Sequence, residues 1–260
     1  MIEKVVHNKA TRLFIFLAGF FITNALIAEF AGVKIFSLEK IFGFSPVNLT
    51  LFGQSGLSFS LTVGVLLWPF VFVLTDIINE YYGTRGVRLL SFLTVGLISY
   101  AFIMVFLGII SPPADFWIGI KAEQGIENYD TAYRAVFGQG LWIIIGSLVA
   151  FLIGQFVDVM VFHRIKRVTG EKAIWLRATG STLISQFIDS FIVLFIAFYI
   201  GGNWPLVLVL AIGVVNYIYK FIMAIALTPL IYLMHAIIDK YLGDETATQL
   251  KTLAMKSEKK

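Results

Sequence analysis

The stretch Trp68-Pro69-Phe70-Val71-Phe72-Val73-Leu74-Thr75-Asp76-Ile77-Ile78-Asn79-Glu80-Tyr81-Tyr82-Gly83 passes from an apolar run into a polar one without a break in helical pattern. Its first half closes an apolar block that begins at Leu57. Asp76, Asn79 and Glu80 then stand at i, i+3 and i+4, so they share one helix face. Gly83 is placed to end the helix, and Pro69 is expected to loosen it one turn above Phe72. Two carboxylates and an amide on one face make an acceptor-rich surface. The plainer expectation is an end cap in which Glu80 pairs with Arg85 or Arg88.

Six blocks of this kind decide the fold class. They cover about 13–33, 57–75, 89–110, 141–162, 179–200 and 206–238, and a helix needs about 20 apolar residues to cross a bilayer. Composition agrees: 58% of residues are hydrophobic, mean hydropathy is +0.87, and only 14% are charged, against about 25% in soluble domains. Too little polar surface remains to cover a soluble core of this size. The last block is too long for one straight span, which leaves tilt, a kink before Pro229 or extension into the cytoplasm. The first block is too long for a signal peptide, and no small-x-small site follows it, so it is expected to stay in the mature chain. The chain carries no cysteine, which removes disulfides, thiolate metal sites and cysteine nucleophiles.

A pI near 9.2 suggests nucleic acid at first sight, but the charges are sorted by loop. Lys4, Lys9 and Arg12 precede the first block, Arg85 and Arg88 follow the second, and Arg164, Lys166, Arg167, Lys172 and Arg177 follow the fourth. Lys240, Lys251, Lys256, Lys259 and Lys260 follow the sixth, while the alternate loops hold only Lys34, Lys40, Lys121 and Arg134. By the positive-inside rule both termini are cytoplasmic and the number of spans is even. The expected fold is therefore an all-α integral membrane protein: six transmembrane helices in one domain, followed by a polar, mobile cytoplasmic tail over 243–260. Partners are the lipid bilayer and a small-molecule substrate, with no nucleic acid and no cofactor; self-association is left open.

Polar residues inside the blocks carry the functional expectation, because a charge at a helix centre costs roughly 2.5–3.5 kcal/mol on insertion scales. Ser147, Phe151, Gly154 and Asp158 follow one face of the fourth block, with Gln155 beside them, and Gly146, Ala150 and Gly154 permit close helix approach. Thr182, Ser185, Gln186 and Asp189 form a stripe on the fifth, and Gly213, Asn216 and Lys220 another on the sixth. Asn24 and Glu29 add polarity to the first. Gln155 and Asp158 are echoed by Gln186 and Asp189 in matching hexapeptides, a pattern that an inverted repeat or chance would equally produce. Counting from the ends predicts one polar cluster from the midplane inward, with Lys220 paired to Asp189 or Asp158. Trp68 and Phe72 are expected to offer stacking faces beside it. Such a site suits a small, flat, polar ligand. The loop 111–140, with Asp115, Glu123, Glu127 and Asp130, reads as an acidic outer loop in which 123–137 has amphipathic helix potential.

These pieces together resemble the queuosine precursor transporter family, also called the vitamin uptake transporter family. The likeness is carried by Trp68 to Gly83, Ile153-Gly154-Gln155-Phe156-Val157-Asp158, Arg177 to Asp189, and Asn216-Tyr217-Ile218-Tyr219-Lys220 through Thr228-Pro229. The resemblance implies uptake of 7-cyano-7-deazaguanine and 7-aminomethyl-7-deazaguanine across the bacterial inner membrane. It also implies kinship with the six-helix substrate-binding components of energy-coupling-factor transporters. The family's polar positions fall on Asp76, Asn79, Glu80, Gln155, Asp158, Gln186, Asp189, Asn216 and Lys220. Two mechanisms stay open: a self-sufficient carrier, and a substrate-binding subunit that needs a separate ATPase. The chain has no phosphate-binding Gly-x-x-x-x-Gly-Lys-Ser/Thr loop. An intramembrane enzyme is disfavoured, since no His-Glu-x-x-His or Gly-x-Ser-x-Gly is present, and His7, His163 and His235 lie at ends or near a membrane edge.

Overall fold

The computed structural model describes residues 8–138, 140–170 and 173–256. The expectations placed on Lys4, His7, Lys172, Lys259 and Lys260 fall outside them, as does the side chain of Lys256. Helix α1 spans Lys9–Ala31, and its first turn is capped by Asn8, whose Oδ1 accepts from Thr11 N. Two small antiparallel ladders follow, β1 (Ile35–Ser37) with β4 (Ser60–Thr62) and β2 (Leu49–Leu51) with β3 (Gln54–Leu57). The short helix α2 (Leu38–Ile41) lies between β1 and β2. Leu57 to Thr62 is thus extended, and the second apolar block becomes helical only after the 3-10 turn Val63–Leu66.

Helix α3 runs from Trp68 to Ile110. Pro69 occupies its first turn, where a missing N–H costs nothing, so it starts the helix rather than loosening it. At 43 residues α3 would be about 65 Å long if straight. It is not straight: Gly83 sits at φ 68°, ψ −174°, a conformation open essentially only to glycine. Of the expected second span, 57–75, only the part from Trp68 onward lies in the first arm of α3, and the expected third span, 89–110, lies in the second arm. Beyond it come α4 (Asp115–Ile118) and α5 (Tyr129–Phe137), the latter occupying the end of the stretch read as amphipathic.

Helices α6 (Leu141–Thr169) and α7 (Ile174–Leu194) form the most extensively packed pair. Gly146 makes this possible, since a Cβ there would lie 3.1 Å from the Val193 carbonyl oxygen. A π-helical turn, Phe195–Ile200, prolongs α7. Helix α8 covers Leu206–Ala226, and the chain restarts at Thr228 as α9 (Thr228–Leu242), with Pro229 in the first turn. The long sixth block is therefore broken at Leu227 and resumes at Thr228 as a second helix. The polar tail is not loose: α10 (Asp244–Lys256) packs along α3, burying Ala247 and Ala254.

Among the described residues, five stretches are long and apolar enough to cross a membrane: Lys9–Ala31, Val63–Ile110, Tyr129–Thr169, Ile174–Ile200 and Leu206–Ala226. The main core, including Leu17, Phe21, Val71, Ile77, Ile78, Phe151 and Phe162, lies where α1, α3 and α6 meet. Contacts sort the ends of the bundle. Tyr82 Oη donates to Ala10 O at the start of α1, and Arg177 at the start of α7 donates to Gly170 O. Tyr81 Oη bonds Asp239 Oδ1 of α9 at 2.7 Å, and Lys251 of α10 pairs with Asp239 Oδ2 at 2.9 Å. The basic residues Lys9 and Arg12, Arg85 and Arg88, Arg164, Lys166 and Arg167, Arg177, and Lys240 and Lys251 thus gather at the end of the bundle marked by Gly83.

Candidate functional site

Four helices bury polar side chains against one another. From α3, Asp76 accepts hydrogen bonds from two hydroxyls of α7, Ser181 Oγ at 3.5 Å and Thr182 Oγ1 at 3.2 Å. Asp158 of α6 accepts from Ser185 Oγ at 3.0 Å and lies beside Asp76, within reach of the same hydroxyls. Thr75 Oγ1 donates to Gln155 Oε1 at 3.0 Å, and Asn79 Oδ1 meets His163 Nε2 at 2.6 Å. Helix α8 enters through Lys220, whose Nζ pairs with Asp189 Oδ2 of α7 at 2.6 Å. The i, i+3, i+4 spacings read from the sequence are what aim these groups inward, since such residues stack on one helix face.

Glu80 behaves differently from the end cap expected of it. Its Oε1 takes Arg177 Nη2 at 2.9 Å and Lys166 Nζ at 3.0 Å, and all three side chains are about 1% exposed. Arg85 and Arg88 are exposed instead. Burial leaves a carboxylate and two cations without water, so they must solvate one another. Lys220 takes the first of its two expected partners, Asp189.

Several predicted groups stand apart from the cluster. Asn216 is half-buried and spends its amide on Ile212 O of its own helix. Asn24 does the same with Phe20 O. Phe72 is fully buried and flanks Gly154, while Trp68 packs on Phe151 with ring centroids 5.5 Å apart. The Phe72 ring presents no open face in this conformation, whereas Trp68 is half-buried. The echoed Gln and Asp positions do unlike jobs: Asp158 meets hydroxyls, Asp189 meets a lysine.

Thr75, His163, Lys166, Arg177 and Ser181 were not singled out as site residues. His163, Lys166 and Arg177 lie just beyond the apolar blocks, in segments read as basic loop. The helices overrun those block ends by several residues, and spacing supplies the missed signal: Lys166 falls eight residues after Asp158, on the same face.

Polar capacity exceeds what the cluster uses. Asn79 Nδ2, Gln155 Nε2, Asp158 Oδ2 and Gln186 Oε1 are buried with no hydrogen-bond partner among the described residues. Buried polar atoms are nearly always bonded, so each such atom asks for a partner. The space beside Gln186 is small: the crevice it lines with Thr182, Lys220 and Leu227 is about 10 Å³, room for about one water.

Fold and site together define a multi-pass helical membrane protein with a polar, hydrogen-bond-hungry interior. The family described as "Putative vitamin uptake transporter" matches residues 62–234, a range that holds the whole cluster. The chain belongs to this family. It is 31% identical over 173 residues to the "Probable queuosine precursor transporter" of Bacillus subtilis, covering 66% of this chain and 70% of that one. It is 28% identical to the protein of the same description from Haemophilus influenzae, over 70% of this chain and 71% of that one. The "Queuosine precursor transporter" of Escherichia coli is 26% identical over 65% and 70%. No solved structure matches the chain.

Proposed function

We propose that this protein imports queuosine precursors, 7-cyano-7-deazaguanine and 7-aminomethyl-7-deazaguanine, across the bacterial inner membrane through the four-helix polar cluster. The observation that carries this reading is the set of buried, unpartnered atoms on Asn79, Gln155, Asp158 and Gln186. A guanine-like edge offers an N1–H and an exocyclic amine to a carboxylate, and a carbonyl to an amide N–H. Asp158 and Asp76 match the first, Asn79 and Gln155 the second. Descriptions of the family and of the three relatives support the substrate class.

The Glu80–Lys166–Arg177 group holds the helices together beneath the site, and the Asp189–Lys220 pair closes it toward α8. In this reading the break at Gly83 splits α3 into two crossings, which makes six, with both termini and the α10 tail on the cytoplasmic side. The whole chain is one transmembrane domain. The crevice beside Gln186 and Lys220, about 10 Å³, cannot hold a deazaguanine, so the helices part there during transport. The breaks at Gly83 and Leu227 are the places where helix ends can absorb that motion.

The decisive experiment is thermal-shift binding with purified protein, followed by uptake into liposomes that contain this protein alone. Deazaguanines should stabilise the wild type more than adenine does, and Asp158→Asn and Gln155→Ala should reduce the shift. Equal stabilisation by adenine would reject the substrate assignment. Binding without uptake in liposomes would reject the self-sufficient carrier in favour of a subunit that needs a separate ATPase.

A further inference from the structure

A second, much larger space lies along the flank of the polar cluster. A groove of about 1110 Å³ runs between the second arm of α3 and the C-terminal half of α6. Its flanks are apolar side chains with no protein neighbour to cover them: Phe92 and Phe156 are each 62% exposed, and Met160 lines the same wall. At one end stand Arg88, Arg164 and Arg167, close to the helix ends at Gly83 and Gly170. Ser91 and Gln155 line the groove as well, each more than nine-tenths buried, with Ser91 Oγ and Gln155 Nε2 lacking a partner among the described residues.

We propose that this groove is a binding site for an anionic phospholipid, with the phosphate headgroup on Arg88 and Arg164 and an acyl chain along Phe92, Phe156 and Met160. Two exposed guanidinium groups over an apolar trough suit a ligand that is anionic at one end and hydrocarbon at the other. Basic pockets between membrane helices are suited to anionic headgroups, and arginine forks match phosphate oxygens two at a time. At about 1110 Å³ the groove is at the upper end of the roughly 300–1,000 Å³ of ordinary pockets, long enough to take part of an acyl chain.

The site has a consequence for the cluster behind it. Gln155 and His163 line the groove and also bond Thr75 and Asn79. A lipid in the groove covers the flank of that pair of contacts. Gln155 borders both this groove and the proposed substrate site, but the lipid test reads Arg88 and Arg164, which the substrate site does not use, so its failure leaves the substrate assignment untouched.

The test uses purified full-length protein. Thermal unfolding is followed with phosphatidylglycerol, cardiolipin, phosphatidylethanolamine or inorganic phosphate added, and co-purified lipid is counted by native mass spectrometry. Phosphatidylglycerol and cardiolipin should be retained and should raise the melting temperature by several degrees more than phosphatidylethanolamine. Arg88→Gln with Arg164→Gln should weaken that binding roughly 30-fold, taking each surface arginine at its usual weight toward anionic lipid. Arg85→Gln, on an exposed residue that does not line the groove, should leave it unchanged. Equal effects of zwitterionic and anionic lipid overturn the proposal. So does a shift reproduced by inorganic phosphate, which would mark a free-anion site. So does wild-type lipid binding by the double variant; should that variant not purify, the wild-type comparisons decide alone.

Discussion

Glu80 shows how a single side chain can change meaning between sequence and structure. Beside Arg85 and Arg88 it reads as the cap of a helix end. In the bundle it is the shared anion of two buried cations that come from other helices, Lys166 and Arg177. Removing one partner of a buried ionic group leaves a charge with no compensation, which costs on the order of 3–5 kcal/mol. Glu80→Gln is therefore expected to lower thermal stability by about that amount. Arg85→Gln should leave it within about 0.5 kcal/mol, as for exposed positions in general. Parallel melting curves of the two variants in one detergent check this, and equal melting temperatures would show that the buried group is not structural. Asp158 sits in the opposite situation, with hydroxyls on one oxygen and none on the other. Asp158→Asn should fold and lose ligand-induced stabilisation, which separates binding from support.

Among the elements, α3 is the one whose geometry most depends on one residue. Gly83 holds a positive φ with an extended ψ, and a Cβ there costs on the order of 1–3 kcal/mol. Gly83→Ala should lower stability by that amount or straighten the joint between the arms, and hydrogen exchange at 80–87 would report either change. The loop between α1 and α3 is the second informative element. Glu39 accepts from Phe59 N at 2.8 Å, Val47 N at 3.3 Å and Ser37 Oγ at 2.8 Å, so one carboxylate ties three parts of it. Burial works against ionisation here, but the hydrogen bonds from Phe59, Ser37 and Val47 win and hold the carboxyl below its ordinary value of 4.5. A depressed folded pKa means the stabilisation is present above pH 4.5 and is lost as pH falls through the lower, folded value. Limited proteolysis of 34–62 should accordingly be slow at pH 7 and rise only below pH 4.5. Glu39→Gln should be sensitive already at neutral pH. A wild-type loop with the same cleavage rate at both pH values would contradict this.

At the scale of the whole molecule, α10 closes the chain back onto its signature segment. Lys251 lies 5.1 Å from the centre of the Tyr81 ring and pairs with Asp239, which also holds the Tyr81 hydroxyl. Deleting 244–260 should cost about 1–3 kcal/mol, within the usual range for losing one buried contact patch. Binding in the cluster should persist, as thermal shift with ligand would show. The apolar blocks, their separation by basic and acidic loops, and the inward stripes at Asp76, Asn79, Gln155, Asp158, Gln186 and Lys220 were legible from the chain alone. Hydrocarbon demands long apolar helices with few charges, and periodicity assigns each remaining polar residue to a face. Two features were not legible. Where helices outlast their apolar blocks, as at His163, Lys166 and Arg177, composition reports loop although the backbone stays helical. And which polar group meets which is a matter of tertiary distance: the pairing of Glu80 with Arg177 spans 97 residues, and no local pattern encodes it. The chain thus determined by itself that polar residues had to converge inside a membrane bundle, because solvation leaves them no other place. Only the packing of α3, α6, α7 and α8 decided which of them neutralise one another and which are left with hydrogen bonds to offer.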